Sequence, residues 1–309
     1  MIKIKRKIVQ HGNTSLTVSL PIKWAKKFNL NKGDEIDVEE QNNSLIISTE
    51  KSFKIDVQEV NTKNLDKKTL NWLLSALYKR GHDEIKIFFE DPSHMQIIQN
   101  RVNQLMGYAI IEQTHNSCVI KNISEALKDE FDSTLKRAFL LTISMGDGVF
   151  DVMSDGKDMM RLQGLISMEE TNNQLTGFCH RIINKQGYKE FQRTSFVYVV
   201  IWLLESIADE YRDICKFYIK DENCNLKLSK DSIEVFRITN DMVSKFYDTF
   251  YDFSYEKILE IARMKKDVRE RTDKMLMKNI TSEVILLKKL DAVAHCVSDS
   301  IGSLLGLNG

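Results

Sequence analysis

Leu204-Glu205-Ser206-Ile207-Ala208-Asp209, with Asp213-Ile214 close behind, is echoed by Leu290-Asp291-Ala292-Val293-Ala294-His295, with Asp299-Ser300-Ile301 behind it. Glu205 aligns with Asp291, Asp209 with His295 and Asp213 with Asp299, each pair 86 residues apart. An echo at fixed spacing suggests a duplicated unit. The surrounding residues, 125–309, contain no proline and no strand-like alternation. They read as six helices, at 126–154, 156–185, 190–220, 228–253, 255–278 and 281–306. Two halves of about 90 residues, each a three-helix unit, would pack as one all-α six-helix bundle.

The same stretch carries the first candidate site. Residues at i, i+4 and i+8 share a helical face, so Glu205, Asp209 and Asp213 make a carboxylate stripe. Tyr198, Ile201 and Trp202 continue it, in a helix too apolar for a solvated surface element. Carboxylates so placed need either basic partners or a cation, and oxygen ligands suit magnesium, calcium, manganese or iron. Met168-Glu169-Glu170-Thr171-Asn172-Asn173 on the preceding helix adds Glu169, Glu170 and Asn173 as candidate ligands. In the second half Asp291, His295 and Asp299 form a possible second site, but the stretch facing it, Met264-Lys265-Lys266-Asp267, is basic.

Residues 1–50 have a different period. Ile2, Ile4 and Ile8 alternate with lysines, and Leu16, Val18 and Leu20 alternate with Ser and Thr, as half-buried strands do. His11-Gly12-Asn13 is a turn, Pro21 opens a helix from Ile22 to Leu30, and Gly33 reads as its left-handed cap. Strands at 35–39 and 44–48 follow, joined at Gln41-Asn42-Asn43. So small a β module rarely buries enough surface to fold alone, and it has neither disulfide nor metal ligands, so a homodimer is expected. Trp24 and Phe28 are its expected core aromatics. Lys3, Lys5, Arg6, Lys7, Lys23, Lys26, Lys27 and Lys32 precede the first acidic residue, Asp34. That is the electrostatic footprint of a phosphate-backbone binder, with Arg6, Asn13 and Thr14 the candidates to reach base edges.

Between these regions, 52–124 reads β-α-β-α-β-β: strand 53–57, helix 65–79, strand 84–89, helix 92–106 and a hairpin at 108–113 and 117–121. This is a small two-layer α/β domain. Glu112-x-x-His115 has a di-iron spacing but falls on a strand, where i and i+3 face opposite sides. The chain lacks Gly-x-x-x-x-Gly-Lys and His-Glu-x-x-His, so no enzyme is expected. Lys plus Arg equals Asp plus Glu at 44 each, so whole-chain charge proposes no partner. Five scattered cysteines without Cys-x-x-Cys point to reduced thiols in a cytoplasmic protein. No apolar run approaches the ~20 residues of a membrane helix, so no membrane insertion is expected.

Residues 6–48, from Arg6-Lys7-Ile8-Val9 through Ser19-Leu20-Pro21 and Leu30-Asn31-Lys32-Gly33-Asp34 to Ile46-Ile47, resemble the SpoVT/AbrB DNA-binding domain. That resemblance implies an intertwined dimer of swapped hairpins that binds DNA. Residues 130–309 resemble PhoU, the phosphate-uptake regulator, a tandem of three-helix bundles. Its E(D)-x-x-x-D motif corresponds to Glu205-x-x-x-Asp209, while Asp291-x-x-x-His295 departs at its last position. The order of regions is similar to archaeal PhoU-like regulators with an AbrB-type N-terminus. The resemblance implies metal, iron among others, on the carboxylates, and contact with a phosphate transporter or signalling protein. It further implies a DNA-binding transcriptional regulator of phosphate uptake. The alternative it leaves is a signalling adaptor of the transporter whose N-terminal module only dimerises.

Overall fold

The computed structural model describes residues 4–41, 44–49, 57–124, 130–155, 159–220, 228–277 and 283–308. The chain divides into two compact units, Met1–Val57 and Gln58–Gly309. The expected domain boundaries, at 50–52 and 124–125, fall at or beside residues outside those described, as do Ile2, Lys3, Asn42, Asn43 and 53–56.

In the first unit β1 (Ile8–His11) pairs antiparallel with β2 (Ser15–Val18), from Ile8 opposite Val18 to His11 opposite Ser15. Gly12 opens the three-residue loop at φ +68°, a conformation glycine adopts without a Cβ penalty. The strand begins at Ile8 rather than near Ile2, because β2 ends at Val18 and leaves residues 4–7 without a strand partner among the described residues. Helix α1 spans Ile22–Lys27, shorter than expected. Its cap is Asn29 at φ +50°, not Gly33: Asn29 N donates to Lys26 O (3.3 Å) and Leu30 N to Ala25 O (2.9 Å). This crossed pair closes the last turn as a Schellman motif, four residues earlier than a Gly33 cap would allow. Gly33, at φ +96°, serves the next turn, where Asp34 N bonds Asn31 O. β3 (Asp37–Gln41) and β4 (Ser44–Ser48) form a second hairpin. None of the residues of this unit whose burial is described is buried.

The second unit begins with a sheet in the order β5-β6-β8-β7. Its strands are β5 (Val57–Asn61), β6 (Glu84–Phe88), β7 (Tyr108–Gln113) and β8 (Ser117–Asn122). β5 begins at Val57, the last residue of the expected strand 53–57, whose other residues lie outside those described; Thr62 N, bonding Phe88 O at 2.9 Å, fixes where the chain meets β6. Helices α2 (Lys67–Arg80) and α3 (Ser93–Val102) cover the sheet. Asp66 caps α2 by accepting from Thr69 N, and Gly81 ends it at φ +101°. α3 stops at Val102, short of Met106, where turns lead to Gly107 at φ +80°. Leu70, Leu74, Tyr78, Ile85, Ile87, Ile98 and Ile120 form the core of this layer.

Six long helices follow: α4 (Phe131–Asp155), α5 (Met159–Gln186), α6 (Thr194–Lys220), α7 (Lys230–Tyr251), α8 (Tyr255–Leu276) and α9 (Glu283–Asn308). α4, α5 and α6 pack mutually, as do α7, α8 and α9; the two sets join through α6 on α9 and α4 on α7. One apolar core runs through both, from Phe139, Val149 and Phe178 to Phe246, Leu290 and Val297. Close approach at α4 depends on glycine: a Cβ on Gly146 would stand 2.7 Å from Tyr211 Oη, and one on Gly148 2.6 Å from Leu165 Cδ2. Two polar pairs interrupt the core. Asn172 Nδ2 donates to Thr142 Oγ1 (2.8 Å) and Ala138 O (3.2 Å), and Tyr211 Oη donates to Asn240 Oδ1 (2.7 Å). Among the described residues, no helix is long and apolar enough to cross a membrane.

α2 packs on α5, and the joint centres on Arg181 of α5, which is 2% exposed. Its Nη1 donates to Tyr78 O (3.2 Å), His82 O (2.7 Å) and Tyr108 Oη (3.1 Å), and its Nη2 to Asp83 Oδ1 (3.2 Å). Its guanidinium lies 5.3 Å and 4.9 Å from the rings of Tyr78 and Tyr108. Asn184 Nδ2 donates to Lys79 O (2.8 Å), and Lys185 pairs with Asp83. The bundle thus supplies the donors that the C-terminal end of α2 lacks within its own helix.

Candidate functional site

Two arrangements of functional side chains stand out, one in each unit. In the first, Lys5, Arg6, Lys7, Asn13, Thr14, Lys23, Lys26 and Lys27 are all exposed; Lys3 lies outside the described residues. Asn13 and Thr14 sit at the tip of the β1–β2 hairpin, and the three lysines line one face of α1. Trp24 and Phe28 occupy the other face with ring centroids 5.3 Å apart, but they are half-buried rather than enclosed in a core. Among the described residues of the unit no second layer closes over them. Apolar side chains are correspondingly open: Ile8 is 69% and Leu16 73% exposed, with Val9, Val18, Val38 and Leu45 also exposed. The eight basic residues before Asp34 leave the rest of the chain with an acidic excess of the same size.

The second arrangement lies on α5 and α6, and Arg212 organises it. Its Nη1 pairs with Glu169 Oε1 (2.7 Å) and with Asp209, and its Nη2 pairs with Asp213 Oδ1 (2.9 Å). Lys289 of α9 bridges Asp213 Oδ2 and Glu210 Oε2, each at 2.9 Å. Glu205 is met from the α/β layer by Lys79 Nζ (2.8 Å). Asn173 Nδ2 donates to Glu169 Oε1 (2.6 Å), while Glu170 is exposed. The structure therefore brings Glu169, Asn173, Asp209 and Asp213 together around one guanidinium and places Glu205 beside them, against Lys79. Burial, and next the hydrogen bond with Glu169, push the Asp209 carboxyl up to about 6. Burial also works on Asp213, but hydrogen bonds from Lys289 and Arg212 prevail and hold its carboxyl below the usual range.

Basic side chains meet the carboxylates of the stripe in this structure. The donor set does not fit a metal ion, because Arg212 stands among Glu169, Asp209 and Asp213 where the ion would be. Among the described residues, no three His, Cys, Asp or Glu side chains are grouped to hold one. In the second half Lys265 Nζ pairs with Asp291 Oδ1 (2.6 Å), and His295 and Asp299 lie 3.7 Å apart, both exposed. Arg212 was legible in principle, since it stands at i+3 from Asp209, the spacing of a helical ion pair. Lys79 had no such signal, being 126 residues from Glu205 in sequence.

Glu112 lies on β7 beside a bulge between Ile110 and Glu112, and His115 lies in the turn after it; both are exposed. Among the cysteines, Cys118, Cys179 and Cys215 are buried free thiols. Burial pushes the Cys118 thiol up to about 11, so it is unsuited to act as a thiolate.

No curated protein and no solved structure matches the chain. Residues 9–54 match the family described as antidote–toxin recognition MazE, bacterial antitoxin, so similarity to a known family falls on the basic N-terminal module.

Proposed function

We propose that the chain is a dimeric DNA-binding regulator, gripping DNA through its N-terminal module and taking its input through the helical unit. The observation that carries this reading is the segregation of charge. Eight basic residues and no acidic one occupy positions 1–33, and every one that is described lies exposed on a hairpin-and-helix module. The similarity of residues 9–54 to the MazE antitoxins supports it. Dimerisation draws support from the lack of buried residues among those of this unit whose burial is described, and from residues 4–7, which have no strand partner among the described residues. A second copy would supply that strand and cover Ile8 and Leu16 by swapping hairpins. The resemblance of residues 130–309 to the phosphate-uptake regulators makes phosphate status the proposed signal, read through a transporter or signalling partner.

Binding of the full chain to a random 30-base-pair duplex at increasing salt tests the reading. Log affinity should fall linearly with log salt, by about 0.9 per phosphate neutralised. Changing Lys23, Lys26 and Lys27 together to Ala removes six charges from a dimer and should flatten the slope by up to about 5. A dimer without measurable DNA affinity at low salt would refute DNA binding and leave the adaptor reading, in which the module only dimerises.

A further inference from the structure

Between α2 and α3 of the α/β layer and α5 and α6 of the bundle lies a partly enclosed cavity of about 200 Å³. It is smaller than the roughly 300–1,000 Å³ sites that hold drug-sized molecules, but has room for several waters. Lys79 and Arg101 line it from the α/β layer; Glu169, Glu170, Asn173 and Glu205 line it from the bundle.

Two demands inside it are unmet. Arg101 is half-buried, and all its hydrogen bonds go to neutral acceptors: Nε (2.9 Å) and Nη2 (2.5 Å) to Ser75 Oγ, and Nη1 to Gln104 Oε1 (2.7 Å). Among the described residues no carboxylate lies within ion-pair distance of it, and those of Glu205 and Glu169 act on it only from farther off. A guanidinium has five N–H donors, so two remain for an anionic acceptor. The other demand is opposite in kind. Asn173 gives its Nδ2 to Glu169, and a carboxylate only accepts, which fixes the orientation of the amide. Its Oδ1 is thereby turned away and closed off from the cavity, without a donor among the described residues, so the demand for a cation falls to the carboxylate beside it. Glu170 beside it has no ion-pair partner among the described residues.

A bare anion here would face three glutamates, and a bare cation would face Arg101 and Lys79. A molecule carrying both charges meets each wall with the opposite sign. We propose that this cavity binds a small zwitterion of the free α-amino-acid type, its carboxylate on Arg101 and Lys79 and its ammonium on Glu170. Such a ligand touches the α/β layer and the bundle at once, so its arrival tightens the joint between them. This goes beyond the DNA reading and does not depend on it.

Isothermal titration of the full chain with each protein L-amino acid tests the proposal, with inorganic phosphate and magnesium chloride as separate probes. At least one amino acid should bind saturably with Kd below about 1 mM, about tenfold more tightly than its decarboxylated amine or N-acetyl derivative. Arg101→Gln should weaken it about tenfold while leaving affinity for duplex DNA unchanged. Glu170→Gln, at an exposed position, should weaken it severalfold and covers the case in which Arg101→Gln loses its fold. Absence of binding by any amino acid would overturn the proposal. So would undiminished binding in a folded Arg101→Gln, or an Arg101-dependent site that takes phosphate or magnesium alone.

Discussion

Replacing Arg181 with Ala should be among the most damaging single substitutions in the helical unit. The substitution removes four hydrogen bonds, to Tyr78 O, His82 O, Tyr108 Oη and Asp83, and leaves the two carbonyls buried without that donor. It also removes the cation that lies against the rings of Tyr78 and Tyr108. Hydrogen bonds to a charged group are worth about 1.5–3 kcal/mol each, but release of the guanidinium from its desolvated site offsets part of their sum. Breaking a buried pair from one side costs about 3–5 kcal/mol, and we adopt about 4 kcal/mol. At about 2–4 °C per kcal/mol for a unit of this size, Tm should fall by about 10 °C. Calorimetry of the full chain reads the shift. Urea unfolding in single-tryptophan variants, reporting from Trp72 on α2 or Trp202 on α6, reads whether the two layers part company. Arg181→Met, which keeps the aliphatic packing, should recover only the smaller share of the loss. A drop of less than about 1 kcal/mol in Arg181→Ala would refute the view that this residue joins the layers.

His180 is buried against Tyr198, its ring centroid 4.2 Å away, and burial lowers its pKa to about 4. The unfolded chain takes up that proton near pH 6.5 and the folded chain resists it, so stability should fall by about 3 kcal/mol between pH 6.5 and 4. Urea midpoints measured across that range should be flatter in His180→Gln. Asp209 has the opposite sense: its carboxyl is raised to about 6, so the folded chain resists losing a proton that the unfolded chain gives up near pH 4. Asp209→Asn should therefore match the parent below pH 4 and gain on it as pH rises to 6; an unchanged pH profile would contradict this. On α9, Gly302 is exposed, and a Cβ there would meet nothing within 4 Å, whereas one on Gly306 would overlap the ring of Phe196. Thermal scans should show Gly302→Ala more stable by about 0.5–1 kcal/mol and Gly306→Ala less stable by about 1–3 kcal/mol.

The helices were the most legible part of the chain, because their buried faces repeat over six or more turns and a long period averages out single exceptions. Each of the six was placed within a few residues of its observed ends. Short elements were less legible. One strong local bond decides where they stop, as the crossed pair at Asn29 does for α1 and the Thr62–Phe88 contact does for β5. The carboxylate stripe was visible as an unpaid repulsion, and its geometry on one face of α6 follows from spacing alone. Which cation meets it was not, since Lys79 and Lys289 arrive from elements distant in sequence. The same holds for Arg181, which reads as an ordinary helix-surface arginine until α2 is laid across α5.

The polar pairs inside the bundle act as teeth between gears. Long helices with leucine, isoleucine and valine along their contact faces can slide one turn, 5.4 Å, and still meet apolar neighbours. In α4 and α5 such a slip would carry Asn172 away from Thr142 and Ala138 O, and between α6 and α7 it would part Tyr211 from Asn240. Each amide stranded in the interior would cost about 1–3 kcal/mol, with no compensating gain in apolar contact. Longitudinal ratcheting is therefore the one motion this bundle resists most. Whatever passes along it between Lys79–Glu205 at the α/β layer and Lys289–Asp213 at α9 must travel as tilt or rotation of whole helices.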